Sequence, residues 1–518
     1  MSDDMVLIAG AGPTGLVLAL WLNRQDIKVR IIDKLDSHVQ QSRAMVVHAR
    51  TLELYQQCDL AEELIGCGNR NPRINLWADN KVRARFAFDA IGAALTPYPF
   101  LLVFPQDRHE ALLEKHLNAA GIRVERNSEL IDFEDNGNGI SATVHKADGS
   151  HEVIAARFLA GCDGAHSRVR EKLQITFKGG TYENIFYVAD VQATGSGANG
   201  EAWIALDNAE FLVAIPYGHD DRMRLIGTFR QPDLSALDTL SFNDVSHQVI
   251  TQLGLEINAV NWFSTYRVHH RVAETFRRGN AFLLGDAAHV HSPVGGQGMN
   301  TGIGDAINLA WKLVSAVHHP SSEKLLSTYE PERQAFALKL VNTTDKAFSL
   351  ISAKNSVAGM FRTRLFPVFA GTLYHSSTLQ QGLFRIMSQI RLNYRRSPLC
   401  EGKAGEVCGG DRLPWVKTQY GDNYDSLKQM CWQLHLYGEA TPELQRWCAE
   451  ANLPLSIFSW TASHHQAGLP ENSAFLLRPD GYIALASLNS HEARLDAWFE
   501  KNNACIQKSS LKEQQAKA

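Results

Sequence analysis

A glycine-rich loop between two short apolar runs constrains this chain more than any other feature. The run Met5–Ala9 is of the kind that is buried in a parallel sheet, and the loop Gly10–Gly15 follows it directly. A helical pattern then covers residues 16 to about 25, and a second apolar run, Val29–Ile32, ends at Asp33. This order predicts a strand, a helix and a second strand, with an acidic residue at the tip of the second strand.

Each glycine of the loop has a physical task in nucleotide binding. Gly10 permits a tight turn, Gly12 lets a pyrophosphate approach the backbone, and Gly15 allows close packing of helix on strand. The helix N-terminus offers N–H groups and partial positive charge to phosphates, and Asp33 would accept hydrogen bonds from ribose hydroxyls. The loop therefore predicts a nucleotide site. A plain glycine-rich turn is the alternative, and the motif does not separate NAD from FAD.

Length and composition narrow the class of partner. At ~100–200 residues per domain, 518 residues are enough for three or four domains. Apolar residues make up 45% and charged residues 20%, which argues against a disordered or fibrous chain. The formal charge of -4 shows no basic excess. We therefore expect a small-molecule partner and neither nucleic acid nor a membrane.

The N-terminus and the cysteines indicate a cytoplasmic protein. Met1–Asp4 is acidic, unlike a signal peptide, and the apolar run Leu16–Leu22 is far shorter than the ~20 residues of a membrane helix. The eight cysteines contain no C-x-x-C, so they predict reduced thiols and neither a zinc ribbon nor a dithiol redox centre.

Two further motifs repeat the pattern of a buried strand followed by an acid. Phe158–Arg170 carries Asp163 and a basic helical start, and Ala281–Asn300 carries Asp286 and a glycine-rich segment. The helix predicted after the second motif buries one face, because its apolar residues follow three-four spacing. These residues are Ile303, Ile307, Ala310, Trp311, Val314 and Val317.

Together the three motifs resemble those of the class A flavoprotein monooxygenases, the aromatic hydroxylases of the para-hydroxybenzoate hydroxylase type. The resemblance covers residues 1–350 and implies that FAD occupies the glycine loop, although Asp33 stands where the family more often has Glu. It places Leu130 beside the adenosine, and Pro293 with Gly295–Asn300 beside the isoalloxazine. The FAD-binding residues that we expect are Gly10, Gly12, Pro13, Thr14, Gly15, Asp33, Lys34, Arg43, Gln106, Leu130, Asp163, Asp286, Pro293, Gly296, Gly298, Met299 and Asn300.

The resemblance also implies an activity. NADPH or NADH would bind transiently and reduce FAD, and O2 would then form a C4a-hydroperoxyflavin that hydroxylates a phenolic or polyphenolic substrate. The flavin supplies this chemistry, so we expect no protein nucleophile and no metal. His289 and His291 form an H-x-H pair on one loop, but the sequence offers no third metal ligand nearby. A flavin epoxidase, a halogenase, an NAD(P)H oxidase and a non-catalytic flavin-binding protein remain alternatives, although no W-x-W-x-I-P halogenase segment is present.

The expected fold is α/β, with a discontinuous Rossmann-like FAD domain, an inserted mixed β-sheet substrate domain and a C-terminal thioredoxin-like domain. The last resembles the tail of phenol and polyketide hydroxylases at Gly410–Pro414 and Phe475–Ala484, where Asp480-Gly481 predicts a hairpin. The glycine-rich residues 401–410 predict a linker. The expected bounds are 1–180 and 266–350 for the FAD domain, 181–265 for the substrate domain, 351–400 for a helical connector, 401–505 for the C-terminal domain and 506–518 for a tail. Residues of about 70–105 belong either to the FAD domain or to the substrate domain.

The sequence gives little information about the substrate. Trp203, Ile204, Phe211 and Tyr217 lie in or beside strand-like runs and either line a pocket or belong to the core of the sheet. The residues around Trp203 lack the arginine with which the benzoate hydroxylase holds its carboxylate, which favours a neutral or bulkier phenol. A homodimer is one expected assembly, with contact through the C-terminal part.

Overall fold

The computed structural model describes residues 4–38, 44–71, 73–78, 80–206, 211–218, 221–229, 240–292, 295–319, 323–352, 376–419, 421–488 and 492–502, with the backbone alone at 183–184 and 342–352. The helices are α1 (Pro13–Asn23), α2 (Ala49–Gln56), α3 (Ala61–Cys67), α4 (Phe88–Gly92), α5 (Gln106–Ala119), α6 (Arg168–Lys172), α7 (Gln248–Gln252), α8 (Gln297–His318), α9 (Glu323–Leu326), α10 (Tyr329–Ser352), α11 (Ser377–Met387), α12 (Pro442–Glu450), α13 (Ala462–Gln466) and α14 (Glu492–Asn502). The strands are β1 (Met5–Ala9), β2 (Lys28–Ile32), β3 (Val46–Val47), β4 (Asn69–Asn71), β5 (Arg73–Ala78), β6 (Lys81–Ala87), β7 (Leu101–Val103), β8 (Val124–Glu125), β9 (Glu129–Asp135), β10 (Ile140–His145), β11 (His151–Ala156), β12 (Phe158–Gly161), β13 (Phe177–Thr194), β14 (Ala202–Leu206), β15 (Phe211–Pro216), β16 (Arg222–Thr228), β17 (Glu256–Ala273), β18 (Arg277–Arg278), β19 (Ala281–Leu283), β20 (His289–Val290), β21 (Glu401–Ala404), β22 (Val407–Cys408), β23 (Lys417–Thr418), β24 (Gly421–Asp422), β25 (Gln433–Tyr437), β26 (Leu455–Phe458), β27 (Ser473–Leu477) and β28 (Ile483–Leu488).

The first sheet has six strands in the order β18-β19-β12-β1-β2-β8. Its strands are parallel except for β18 at one edge. The side chains of Val6, Leu7 and Ile8 are fully buried, in a core to which α1, α8 and the three-stranded sheet β11-β10-β9 also contribute. The predicted strand, helix and second strand are confirmed as β1, α1 and β2, and the carboxyl ends of β1, β12 and β19 carry the three predicted motifs at one edge of the sheet.

A second sheet has eight strands in the order β20-β17-β13-β16-β15-β14-β5-β6. It is antiparallel apart from the pairing of β14 with β5. Strands β5 and β6 come from residues 73–87, so an early segment of the chain completes a sheet whose other strands span 177–290. Because side chains alternate between the two faces of a strand, this sheet presents two different surfaces. One face packs beneath residues 242–255 and forms a core of its own.

The C-terminal sheet has the order β22-β21-β28-β27-β25-β26. Strands β25 and β26 are parallel, and β27 is antiparallel to both β25 and β28. The predicted hairpin at Asp480-Gly481 is confirmed, since it joins β27 to β28. The prediction of a linker at 401–410 is wrong: β21 and β22 form there, because the Ala404 and Val407 side chains are buried in the core of this sheet.

Buried ion pairs and hydrogen bonds connect the C-terminal sheet to helices α8 and α10. The guanidinium of Arg478 donates to Glu332 on α10 at 2.8 Å and to Asp480 at 2.6 Å. The ammonium of Lys312 on α8 also donates to Glu332, at 2.9 Å, and the Trp311 indole donates to Asp480 at 3.2 Å. Burial raises the pKa of Glu332, but the cations lower it by more, so this carboxyl group stays ionised. The cluster is therefore a set of paired buried charges, each of which depends on its partner.

Among the described residues, no helix is both long and apolar enough to cross a membrane.

Candidate active site

The glycine loop follows β1 with very little room on one side and open space on the other. Gly10 has a φ of 104°, and a Cβ built on it would lie 2.3 Å from the backbone oxygen of Cys162. A Cβ on Gly15 would lie 2.0 Å from the backbone oxygen of Gly10. Gly12, at the N-terminus of α1, has nothing within 4 Å of its Cβ position. The loop thus packs tightly against its own sheet and leaves an open approach to the backbone at Gly12.

The Asp33 carboxylate braces this loop. Its Oδ2 accepts the N–H of Ala11 at 2.6 Å, and its Oδ1 accepts the N–H of Leu35 at 2.8 Å. The hydrogen bond to Ala11 ties the tip of β2 to the glycine loop across 22 residues of sequence. Contact of Asp33 with a ribose stays a prediction.

The second motif presents a buried acceptor. Asp163 follows β12, and its Oδ2 accepts the N–H of Val169 at 3.1 Å. Its Oδ1 is buried and has no hydrogen-bond partner among the described residues. Burial raises the pKa of Asp163, which the hydrogen bonds to this carboxylate partly oppose. An unpartnered carboxylate oxygen of this kind can accept a hydrogen bond from a ligand hydroxyl.

The third motif is a turn held by a buried carboxylate from α8. Gly285 has a φ of 57° and donates its N–H to Asp305 Oδ2 at 3.0 Å. The same oxygen lies 2.7 Å from His289 Nε2, and Arg333 Nε donates to the other oxygen at 2.5 Å. This geometry leaves the Asp286 side chain exposed at the wall of a cavity. His289 is therefore part of the support of the turn.

The side-chain amide of Asn300 connects the start of α8 to α2 by hydrogen bonds. Asn300 Oδ1 accepts the N–H of His48 at 2.9 Å and the hydroxyl of Thr51 at 2.8 Å, and its Nδ2 donates to Val46 and Gly296 carbonyls. His48 Nε2 lies 3.0 Å from the Gly296 oxygen. Burial lowers the pKa of His48 to about 4, so the ring is neutral and donates to this oxygen. Asn300 positions the loop and does not itself line the cavity.

A single cavity of about 790 Å³ connects the three motifs with the second sheet. Its first wall is built from the motifs and from Gln106, whose Nε2 also donates to Glu110 at 2.8 Å. Its second wall is the other face of the eight-stranded sheet and is aliphatic and aromatic. The residues of the first wall include Gly12, Pro13, Thr14, Cys162, Gly164, Gly285, Asp286, Gly295, Gly296, Gly298 and Met299. Those of the second include Ile74, Leu76, Phe86, Ile204, Leu206, Phe211, Val213, Ile215 and Ile226.

The register of β14 separates the residues that we expected at a substrate. Ile204 and Phe211 line the cavity. Trp203 points to the opposite face, where it is buried in the second core and donates its indole N–H to Gly197 at 3.0 Å. Of the two alternatives for Trp203, the pocket lining is wrong and the core of the sheet is confirmed. Tyr217 lies beyond the end of β15, packed with Met45 outside the cavity lining.

The remaining predicted FAD residues are placed less centrally. Lys34 is exposed and Leu130 is buried in the main core, and neither lines the cavity. Arg43 and Pro293 lie outside the described residues.

Several cavity residues were not among the predicted site residues. Leu383 and Met387 lie on α11, nearly ninety residues after the last motif, and the apolar face of an amphipathic helix was their only signal. Asn71 comes from β4. His291 donates through Nδ1 to the Ser292 carbonyl, 2.8 Å away, and burial lowers its pKa to about 4. The described residues contain no group of three His, Cys, Asp or Glu side chains that could hold a metal ion.

These residues fit a dinucleotide cofactor. The open backbone at Gly12 with the N-terminus of α1 suits a pyrophosphate, and the free Asp163 oxygen suits a hydroxyl group. Asp286 and the glycines that open α8 would hold the remainder of an FAD molecule.

Comparison with known proteins agrees with this fit. The family model described as an FAD binding domain matches residues 3–344. A 6-methylpretetramide 4-monooxygenase from Streptomyces rimosus is 33% identical, with 95% of this chain and 92% of that protein covered. A pentachlorophenol 4-monooxygenase from Sphingobium chlorophenolicum is 32% identical, with 68% and 65% covered. The solved structure of an anhydrotetracycline hydroxylase from Streptomyces rimosus superposes with a TM-score of 0.77 at 26% identity, covering 96% of this chain and 98% of that one. The chain belongs to the FAD-binding-domain family and is an FAD-dependent, NAD(P)H-using monooxygenase of the class A aromatic hydroxylase type.

Proposed function

We propose that this monooxygenase hydroxylates an uncharged, polycyclic phenol. The observation that carries the proposal is the single cavity in which the cofactor loops face an apolar sheet surface. The described residues of that surface offer aliphatic and aromatic side chains to a flat ring system and no cation to a carboxylate. The relatives named for a pretetramide, an anhydrotetracycline and a pentachlorophenol support an aromatic substrate.

The chain contributes binding and exclusion of water. Reduced FAD with O2 supplies the electrophilic oxygen. The apolar wall at Ile204, Phe211 and Ile226 holds the aromatic ring against the loop at Gly296–Met299 and keeps water from the reacting groups.

The test is NAD(P)H oxidation by the FAD-loaded enzyme with a panel of phenols of one to four fused rings. Hydroxylated product and hydrogen peroxide are measured together. We expect aromatic ligands of three or four rings to stimulate oxidation and to be hydroxylated. Peroxide without product indicates an oxidase, epoxide product indicates an epoxidase, and oxidation insensitive to every phenol contradicts the proposal.

We also propose that the C-terminal sheet is a thioredoxin-like domain without redox function. The order β28-β27-β25-β26, with β25 and β26 parallel and joined through α12, supports this assignment. The domain bounds, the cytoplasmic location and the homodimer stay predictions.

A further inference from the structure

A polar side chain lies at the end of the apolar wall of the cavity between the cofactor motifs and the eight-stranded sheet, the flavin cavity. Asn71 of β4 stands directly opposite Leu101 of β7 in their antiparallel pair, and both side chains line the cavity. Arg73, two residues later, begins β5, whose Ile74 and Leu76 also line it. Asn71 is only 3% exposed. A buried amide is costly unless it forms hydrogen bonds, so its partners decide what it does there.

The amide of Asn71 uses only one of its two ends within the described part of the chain. Its Oδ1 accepts the backbone N–H of Arg73 at 3.3 Å. Because this N–H must meet an oxygen and not an amino group, the hydrogen bond determines which way the amide is turned. Its Nδ2 has no acceptor among the described residues. Asn71 therefore presents an oriented donor group that a ligand in the cavity can use.

Asn69 on the same strand shows the contrast with an amide that the protein uses at both ends. Residues 69 and 71 face the same side of β4, since side chains alternate along a strand. Asn69 Nδ2 donates to the Gly218 carbonyl at 2.9 Å, and its Oδ1 accepts the Gly218 N–H at 2.9 Å. Asn69 does not line the cavity. Its amide thus connects β4 to the turn after β15, whereas the donor of Asn71 is left for a ligand.

The wall beside Asn71 consists of apolar side chains that strand pairing aligns in two rows across β6, β5, β14 and β15. The first row is Phe86, Ile74 and Ala202, and the second is Leu76, Ile204 and Val213. All six line the cavity. A flat ring system can lie on these rows through apolar contact, but such contact is non-directional and does not determine how the ring is turned. A fixed donor at the end of the wall supplies that direction.

We propose that Asn71 selects and orients the substrate of this monooxygenase by donating a hydrogen bond from Nδ2 to a carbonyl oxygen at the edge of the aromatic ring system. The inference rests on the proposed function, which places the substrate on the apolar wall. The substrate then carries a ring carbonyl group in addition to its phenolic hydroxyl group. A ring without the carbonyl leaves the buried amide without a partner, and that loss is the source of the selectivity.

The first test compares ligands with and without a carbonyl group on the oxidised, FAD-loaded enzyme. The ligands are 2-hydroxyfluorenone and 2-hydroxyanthraquinone, each paired with its carbonyl-free counterpart, 2-hydroxyfluorene or 2-hydroxyanthracene. Dissociation constants are measured from the change in flavin absorbance on binding. For the wild type we expect a carbonyl ligand to bind about tenfold more tightly than its counterpart, as for a hydrogen bond to a buried donor.

Three variants make this test specific to the Asn71 amide. Asn71→Leu removes the donor at similar size, and Asn71→Asp keeps the shape but puts an acceptor in place of the donor. Asn258→Leu makes the same replacement at an exposed residue of β17, on the same sheet but outside the cavity lining. We expect the preference for the carbonyl ligand to disappear in both Asn71 variants and to persist in Asn258→Leu. The affinity of Asn71→Leu for the carbonyl-free ligand should equal that of the wild type.

The possible failures have different meanings. Binding of both members of each pair with equal affinity to the wild type, or a preference retained in Asn71→Leu, overturns this inference and leaves the proposed function standing. Loss of flavin from purified Asn71→Leu also overturns it, because the amide would then hold the cofactor. Absence of binding by all four ligands contradicts the proposed function and this inference together.

The second test follows the orientation of the ring during turnover. The carbonyl ligand that binds more tightly is incubated with NAD(P)H and O2, and the hydroxylated isomers and hydrogen peroxide are quantified for the wild type and Asn71→Leu. We expect one main isomer from the wild type. The variant should give additional isomers and more peroxide, because a ring without the hydrogen bond lies on the wall in more than one way. An identical distribution of products in both proteins overturns the orienting role of Asn71.

Discussion

The carboxylate of Asp305 accepts the backbone N–H of Gly285 at 3.0 Å, and this contact joins the long helix α8 to the turn that carries Asp286. Asp305 is fully buried and also contacts Arg333 and His289. Burial raises the pKa of Asp305, but the neighbouring Arg333 and His289 lower it by more, so the carboxyl group is ionised. The turn at the flavin cavity is therefore held by a buried charge whose counter-charge lies on α10.

Replacement of Asp305 by Asn should destabilise both the fold and the cofactor site. The amide cannot neutralise Arg333, and leaving a buried charge without its partner costs about 3–5 kcal/mol. Urea unfolding should show this loss, and the purified protein should contain much less flavin. The control is Asp132→Asn, since Asp132 pairs with Lys172 at the surface, 2.9 Å away. Flavin content equal to that of the control would contradict the role of Asp305.

Gly15→Ala should remove bound FAD. The new methyl group would meet the Gly10 oxygen at 2.0 Å, and this nearest neighbour is backbone that cannot move aside as a flexible side chain can. Gly66→Ala is the matched control, because Gly66 is also helical and has nothing within 4 Å of its Cβ position. The ratio of flavin to protein absorbance after purification measures the effect. A Gly15→Ala protein as yellow as Gly66→Ala would show that the close packing is dispensable.

Two neighbouring residues of β14 should give opposite phenotypes. Ile204→Ala removes part of the cavity wall, and the loss of apolar contact with a ligand should raise KM for a polycyclic phenol about tenfold. Trp203→Phe removes the hydrogen bond to Gly197 and should lower the free energy of unfolding by about 1 kcal/mol with KM unchanged. Steady-state kinetics and urea unfolding of both variants check the pair. A KM effect confined to Trp203→Phe would reverse our assignment of the two faces.

His48 should make stability depend on pH. Burial lowers the pKa of His48 from 6.5 to about 4 in the folded protein. Between these pH values the unfolded chain binds a proton on His48 that the folded protein does not, so stability falls as pH falls from about 6.5 to about 4 and is fully present above that window. The loss attributable to His48 is about 3 kcal/mol.

The measurement is urea unfolding of the wild type and His48→Gln across this pH range. We expect the difference in stability between the two proteins to shrink toward acid pH. His151→Gln serves as a control at an exposed histidine. Parallel pH profiles for wild type and His48→Gln would show that His48 is not the titrating group.

Local patterns predicted the elements that hold the cofactor. The apolar run at Met5–Ala9 is β1 without a shift of either end, because the glycine that follows ends the strand. The apolar positions Ile303, Ile307 and Ala310 lie on the buried side of α8, as three-four spacing requires. Each of these predictions depended on residues within one or two turns of one another.

Relationships between distant segments were not predictable in the same way. Alternation in β14 shows that Trp203 and Ile204 face opposite sides, but only the pairing of sheets determines which side meets the cavity. Likewise, residues 401–410 read as a linker because their glycines are visible in sequence, whereas the partner strand β28 lies eighty residues away. Met387 reaches the cavity through the same kind of long-range packing.

The eight-stranded sheet keeps its two sides chemically independent. Successive residues of one strand contact opposite sides of the sheet, so Ile204 or Ile226 can be exchanged while the core that contains Trp203 is left intact. A lineage could therefore acquire a new aromatic substrate through single substitutions in these strands without first losing the folded state. Such a division makes this fold a suitable starting point for directed evolution of regioselective hydroxylation.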